Sequence, residues 1–169
     1  MTIVQLATTT STQEEARARA DAGCDHGLVV VADVDIDGRG RRGRAWSSGP
    51  HGLWMSMVLR TAMPMWSAPR LALVACDVVN RVVGAHGALP IFVKWPNDLL
   101  VASTTAHPVL GPFRKCGGLL VEAVETRCAL LTTAIVGIGL NLRVPDGGFP
   151  DDVKEVAAAA FDHDDAEFR

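Results

Sequence analysis

Gly38-Arg39-Gly40-Arg41-Arg42-Gly43-Arg44, followed two residues later by Trp46, packs four guanidinium groups and three glycines into seven residues. Glycine admits backbone conformations closed to other residues and lets the main chain come close to a ligand. Arginine supplies a planar, permanently charged fork matched to carboxylate and phosphate oxygens. The pattern suits an anionic ligand that carries phosphate. Taken alone it equally fits a solvated basic loop or an RNA-binding arginine tract, so the surrounding chain has to decide.

The formal net charge is −3, which argues against a generally basic nucleic-acid binder. Positive charge is local to the loop, as a site requires. The 169 residues, 49% of them apolar, suit one domain with a real core. The four cysteines (Cys24, Cys76, Cys116, Cys128) form no CxxC pair, and the five histidines complete no zinc pattern. Free, buried thiols in a reducing cytosol are the expectation, hence a cytoplasmic protein. The segment 1–7 is too short and too polar for a signal peptide. Asp77, Asn80 and Arg81 interrupt the longest apolar run, so no membrane span is expected.

Outward from the loop, residues 3–6 and 28–32 read as strands. Residues 8–12 read as a hydroxyl-rich turn. Thr12 and Glu15 have capping-box spacing for a helix reaching about Ala22, stopped by Gly23. Residues 53–59 read as the next strand. Pro69 opens a helix to about Gly84, with Leu71, Val74, Ala75, Val78, Val79 and Val82 as the core face and Asp77 and Arg81 off it. Residues 91–94 and 99–101 read as short strands and 103–114 as a loop. Residues 116–124 and 129–138 read as paired strands joined by a turn at Glu125-Thr126-Arg127. Residues 153–161 suit a final helix, and the acidic stretch 162–167 a frayed end. The class is therefore α+β, a mixed, mostly antiparallel sheet backed by helices, with one domain over residues 1–145 and a C-terminal tail over 146–169.

Five segments carry chemistry in order: Ser11-Thr12-Gln13, the arginine loop with Trp46, Val93-Lys94-Trp95-Pro96-Asn97-Asp98-Leu99, Gly117-Gly118-Leu119-Leu120-Val121-Glu122, and Gly137-Ile138-Gly139-Leu140-Asn141. This set, over about residues 8–142, resembles the biotin protein ligases (biotin–acetyl-CoA-carboxylase ligases). The resemblance implies that the chain makes biotinyl-5′-AMP from biotin and ATP. It would then pass the biotinyl group to a lysine of a biotin carboxyl carrier protein. Dimers formed through the sheets are frequent in that family.

Adenylation joins two anions, a carboxylate and the α-phosphate of ATP, so neutralising charge in the transition state is the main task. Arg39, Arg41 and Lys94 are expected as the catalytic cations, with Arg42 and Arg44 on the ATP side. The resemblance has the loop close over biotin and the adenylate, with Gly38, Gly40 and Gly43 giving it freedom and Trp46 packing on the adenine. Trp46 fits equally well as a hydrophobic anchor for the loop. Lys94, at a strand end, suits the substrate carboxylate, or else simply reaches to solvent. Asn97 and Asp98 either cap a turn or position ATP and its Mg²⁺, an ion that usually rides on phosphates with few protein ligands. Ser11, Thr12 and Gln13 would meet the ureido ring of biotin, although Thr12 also suits a helix cap. Gly117 and Gly118 would admit the biotin tail. Gly139 and Asn141 would line the nucleotide pocket.

Two departures stand out. The family usually has glutamine where this chain has Asp35, three residues before Gly38, and often asparagine where it has Gln13. An ionised Asp35 accepts from a ureido N–H but cannot donate to a carbonyl. Asp33, Asp35 and Asp37 are expected to pair with the loop arginines in the empty protein and to release them on ligand binding. The second departure is length. Too few residues follow Asn141 for the family's usual small C-terminal domain, and no DNA-binding domain precedes residue 8. A non-catalytic or half-enzyme biotin/acyl-adenylate binding module, and a ligase for another acid such as lipoate, are the competing readings.

Overall fold

The computed structural model describes residues 1–46, 51–125 and 132–161. It opens with a strand–helix–strand crossover. β1 (Ile3–Thr9) and β2 (Val29–Asp35) are parallel, registered from Ile3↔Val29 to Thr9↔Asp35, and α1 (Thr12–Asp21) connects them, as a parallel pair requires. Two local expectations are corrected here. Thr8 and Thr9 extend β1 instead of forming a turn. The helix N-cap is Ser11, and Thr12 is already helical. The Thr12 N–H is taken by Asp35 Oδ2 at 3.1 Å. The cap therefore comes from β2, a partner 23 residues away that a local capping pattern cannot show.

The arginine loop forms a small hairpin, β3 (Gly38–Arg39) and β4 (Ala45–Trp46). β5 (Gly52–Thr61) then enters the main sheet, and α2 (Arg70–Gly84) follows. The chain continues as an antiparallel meander of β6 (Ile91–Lys94), β7 (Asp98–His107), β8 (Gly111–Glu125) and β9 (Thr132–Asn141). The seven-stranded sheet has the order β1-β2-β5-β9-β8-β7-β6, parallel only between β1 and β2. The expected α+β class holds. The region expected as a loop over 103–114 is instead the β7–β8 hairpin, turning just before Gly111, whose φ is +58°. Its hydroxyl-rich sequence hides a strand because sheet formation depends on the neighbouring strand more than on propensity. Glu125 ends β8; the rest of the expected turn, Thr126 and Arg127, with Cys128, the expected strand start at Ala129 and the acidic stretch 162–167, lies outside the described residues.

Side chains alternate between the two faces of the sheet. On one face α1 packs Ala16 and Ala20 against Val30, Val58 and Ile135. On the other, α2 covers Leu99, Val101, Leu119 and Leu140. The buried stripe of α2 is rotated from the one expected: Val79 is buried and Ala75 packs on the core as expected, Ala72, Cys76 and Val83 join them, and Val74, Val78 and Val82 are exposed. The helix is apolar on more than one side, so periodicity fits two stripes. The sheet receives the side carrying Ala72 and Cys76, whose small side chains allow close approach.

No helix forms over 153–161. Turns lead into an extended segment that bonds β8 and β9: Lys115 N–H donates to Val156 O (2.7 Å), Ala158 N–H to Lys115 O (2.9 Å), and Ala160 N–H to Asn141 O (2.8 Å). The segment expected as a tail thus contributes fully buried Ala160 to the α2-side core. Burial pushes the thiols of Cys76 and Cys116 up to about 11 and about 12, with Asp98 adding to the effect at Cys76. They behave as inert core residues. No helix among the described residues is long and apolar enough to cross a membrane.

Candidate active site

A cleft of about 430 Å³ opens on the α1 face, between the start of α1, the β3–β4 hairpin, the β6–β7 turn and the central strands. Its size falls within the usual range for small-molecule sites. The central strands leave room for it by carrying glycines on that face. A Cβ at Gly137 would lie 2.5 Å from Gln13 Oε1, and one at Gly139 3.1 Å from the Trp46 ring. The alternating Gly137 and Gly139 are thus a requirement of space.

One end of the cleft is lined by hydroxyl, amide and carboxyl groups. Thr12 Oγ1 donates to Asp35 Oδ2 (3.2 Å), and Ser56 Oγ bridges Thr12 Oγ1 (3.1 Å) and Gln13 Oε1 (3.0 Å). Gln13 Nε2 donates to Glu122 Oε2 (2.9 Å), and Glu122 also pairs with Arg17 (3.1 Å). Asp35 is only 6% exposed. Burial holds its carboxyl above the usual range, against the lowering effect of its two bonds from Thr12, and the charge of Asp37 adds to the rise. Ser11 Oγ and Asp35 Oδ1 are buried here with no hydrogen-bond partner.

The other end is cationic. Arg39, Arg41, Arg42 and Arg44 all line it. The hairpin tip closes with Gly40 N–H donating to Arg44 O (2.8 Å), helped by left-handed φ values of 59° at Arg42 and 71° at Gly43. Arg39 pairs with Glu14 of α1, and Arg41 donates to Asn97 Oδ1 (3.0 Å). Among the described residues no ion pair joins Asp33, Asp35 or Asp37 to a loop arginine, so the expected acidic latch is replaced by Glu14 and Asn97. Asn97 is also a structural clamp, its Nδ2 donating to Leu119 O (2.8 Å). Trp46 lies against Gly118 and Gly139 and edge-on to Trp54, with ring centroids 6.4 Å apart. Its Nε1–H has no partner among the described residues.

The lysine of this site is Lys115. Lys94 is exposed on β6 and does not line the cleft. Lys115 Nζ bonds Asp98 Oδ1 (2.8 Å) and sits 4.9 Å from the centroid of the Trp46 ring. A β-bulge puts it there. Leu99 pairs with Gly117 but Leu100 with Lys115, so Cys116 is the extra residue, and the strand's alternation flips. Lys115 thereby shares a face with Gly118 despite lying three residues from it. The hint in the sequence is a basic residue immediately before the Cys116-Gly117-Gly118 run. The bulge that aims it has no local signature.

The remaining assignments divide as follows. Ser11, Thr12, Gln13, Asp35, Gly38, Gly40, Asp98, Gly118 and Gly139 line the cleft with the arginines, Trp46 and Asn97. Gly117 faces the α2-side core, where a Cβ would lie 2.9 Å from both Gly139 O and Leu140 Cδ1. Asn141 lies beside a neighbouring pocket and donates from Nδ2 to Ala158 O (3.0 Å). Trp54 and Ser56 of β5 also line the cleft, and Glu122 of β8 holds Gln13 there; no role for these three follows from the sequence segments.

The model of the biotin/lipoate A/B protein ligase family matches residues 5–141. The chain belongs to this family. It is 35% identical over 152 residues to the bifunctional ligase/repressor BirA of Bacillus spizizenii, covering 88% of this chain and 43% of that protein. It is 34% identical over 122 residues to the biotin–[acetyl-CoA-carboxylase] ligase of Paracoccus denitrificans, covering 70% and 46%. The structure of the biotin protein ligase from Aquifex aeolicus in complex with biotin and ATP superposes with a TM-score of 0.65 at 26% identity, covering 94% of this chain and 59% of that one. The chain thus spans less than half the length of these two curated relatives.

Proposed function

We propose that this chain is the catalytic body of an ATP-dependent biotin–protein ligase. The observation that carries the reading is the polarity of the cleft: buried hydroxyl, amide and carboxyl groups able to hydrogen-bond at one end, and Lys115 with four arginines at the other. A ligand with a neutral polar ring and an anionic tail meets both needs, and biotin has a ureido ring and a carboxylate. The tail oxygen attacks the α-phosphorus of ATP, the bond to the β-phosphate oxygen breaks, and pyrophosphate leaves. Lys115, Arg39 and Arg41 oppose the charge that gathers there. A neutral carrier lysine then attacks the acyl carbon, AMP departs with the bonding electrons, and the new amide nitrogen loses a proton.

Mg²⁺ would arrive on the ATP phosphates. Among the described residues no three His, Cys, Asp or Glu side chains form an ion cage, and Asp98, a carboxylate lining the cleft, is bonded to Lys115. A cytoplasmic carboxylase carrier domain is the proposed partner, and a homodimer the proposed assembly. The test is biotin-dependent exchange of labelled pyrophosphate into ATP, followed by addition of a carrier domain. Exchange with biotin and labelling of one carrier lysine are expected. Exchange with lipoate in place of biotin would redirect the reading to the other acid, and binding of biotin without exchange would leave a binding module.

A further inference from the structure

α2 covers the sheet with one stripe and leaves a second apolar stripe facing outward. Val74, Val78 and Val82, spaced i, i+4, i+8, share one face of the helix, and they are 61%, 44% and 54% exposed. Leu73 flanks them, and Trp66, just before the helix, is 73% exposed. Arg70, in the first turn of α2, holds its guanidinium 5.2 Å from the centroid of the Trp66 ring, which ties that ring to the outward side of the helix. Single exposed apolar side chains are ordinary, but a contiguous strip of them marks an interaction surface.

The charges beside the strip select its occupant. They are of both signs: Arg70, Asp77 and Arg81, with Arg81 paired to Asp77 at 2.9 Å. An anionic membrane surface calls for a basic polar face, and a strongly charged partner would find part of this rim repulsive. A two-fold axis calls instead for a surface that complements itself, and α2 offers one. Set antiparallel on a second copy about Val78, it brings Val74 against the partner's Val82. Arg81 lies three residues past that axis, and the partner's Asp77 lies one residue past it in the same direction. The two are then about 3 Å apart in height, at 1.5 Å per residue, on the same flank of the contact. Each copy's ion pair becomes half of a four-charge cluster.

We propose that the outward stripe of α2 is a homodimer interface, two copies packing their α2 helices antiparallel about Val78. It rests on the homodimeric assembly put forward above and gives that assembly a surface. Because α2 and the cleft lie on opposite faces of the sheet, both clefts stay open in the dimer, and each copy can take ligand and carrier independently. One face of a 15-residue helix is narrow beside the roughly 800 Å² per partner of a standard interface, so the dimer should dissociate on dilution.

The experiment is sedimentation velocity of the full chain over a dilution series up to about 100 μM, with charge-swapped variants and a cross-linking pair. Asp77→Arg and Arg81→Asp each set like charges across the axis and should weaken dimerisation about tenfold or more. The double variant Asp77→Arg, Arg81→Asp restores opposite signs and should restore the dimer. For cross-linking, a Cys24→Ser, Cys128→Ser background leaves only the buried Cys76 and Cys116. Val78→Cys then meets its own copy at the axis and should form a disulfide-linked dimer under a mild oxidant. Val74→Cys lies about 12 Å along the helices from its own copy and should not. A wild type that stays monomeric over the whole series overturns the proposal and the homodimer with it. A wild-type dimer that none of the charge variants weakens, or in which Val78→Cys links no faster than Val74→Cys, overturns this surface and leaves the homodimer to another one. Neither result bears on the ligase reading, which pyrophosphate exchange decides.

Discussion

At the residue scale, two side chains decide what this cleft can do. Lys115 is held by Asp98 and Trp46 at the cationic end, and Lys94 is exposed outside it. In the proposed reaction the lysine would oppose charge that develops mainly in the transition state, so its removal should lower turnover more than binding. Lys115→Ala is expected to reduce pyrophosphate exchange by about 100-fold or more, with biotin affinity changing much less. Lys94→Ala should leave exchange within about twofold of wild type, as surface substitutions usually do. Rate and calorimetry on the two variants separate these roles.

Asp35 makes a second residue-scale prediction, on stability. Its folded-state carboxyl is raised above the ordinary value of 3.8, so the native state holds this proton more tightly than the unfolded chain. Its contribution is therefore complete below 3.8 and is lost as pH rises through the raised value. In urea denaturation of the ligand-free protein, Asp35→Asn should lack this decline, so the midpoint difference between variant and wild type should grow in the variant's favour as pH rises through that window. An unchanged difference would mean that the carboxyl is solvated in solution.

At the scale of elements, the β7–β8 ladder and α2 show how far local pattern reaches. Gly117 was expected beside the ligand, but its missing side chain serves close packing of β8 on β9. Gly117→Ala places a Cβ 2.9 Å from a backbone oxygen and should cost about 1–3 kcal/mol of unfolding free energy. Gly139→Ala, pressing on Trp46 at 3.1 Å, should instead act on exchange activity through the position of that ring. On α2, Val79→Ala should cost about 1–3 kcal/mol, and Val78→Ala within about 0.5 kcal/mol, because Val79 is buried and Val78 exposed. Chemical denaturation of the pair tests the corrected helix face directly. Alternation located most strands, yet it could not find the bulge at Cys116 or distinguish two apolar stripes on one helix. Both depend on which neighbour the element meets.

At the scale of the whole molecule, one sheet carries a packed core on its α2 face and a ligand cleft on its α1 face. The segment through Ala157 ties the two sides together by bonding both backbone groups of Lys115. Buried Cys116, next in sequence, reports on that junction. With its thiol pushed up to about 12, it should resist alkylation at pH 8 in a Cys24→Ser, Cys128→Ser background and react only at the rate of unfolding.

The sequence alone determined the family, because four guanidinium groups among glycines, a Lys-Trp-Pro-Asn-Asp turn and paired glycine strands are covalent facts written in short segments. It also determined the class of fold, because strand and helix periods are local. Tertiary structure decided which lysine enters the cleft, which stripe of α2 is buried, and that Asp35 caps α1 instead of holding the arginines. Each of those depends on contacts between residues far apart in the chain, where a one-residue bulge or a shared hydrogen bond changes the facing of a side chain without leaving a mark in the local pattern.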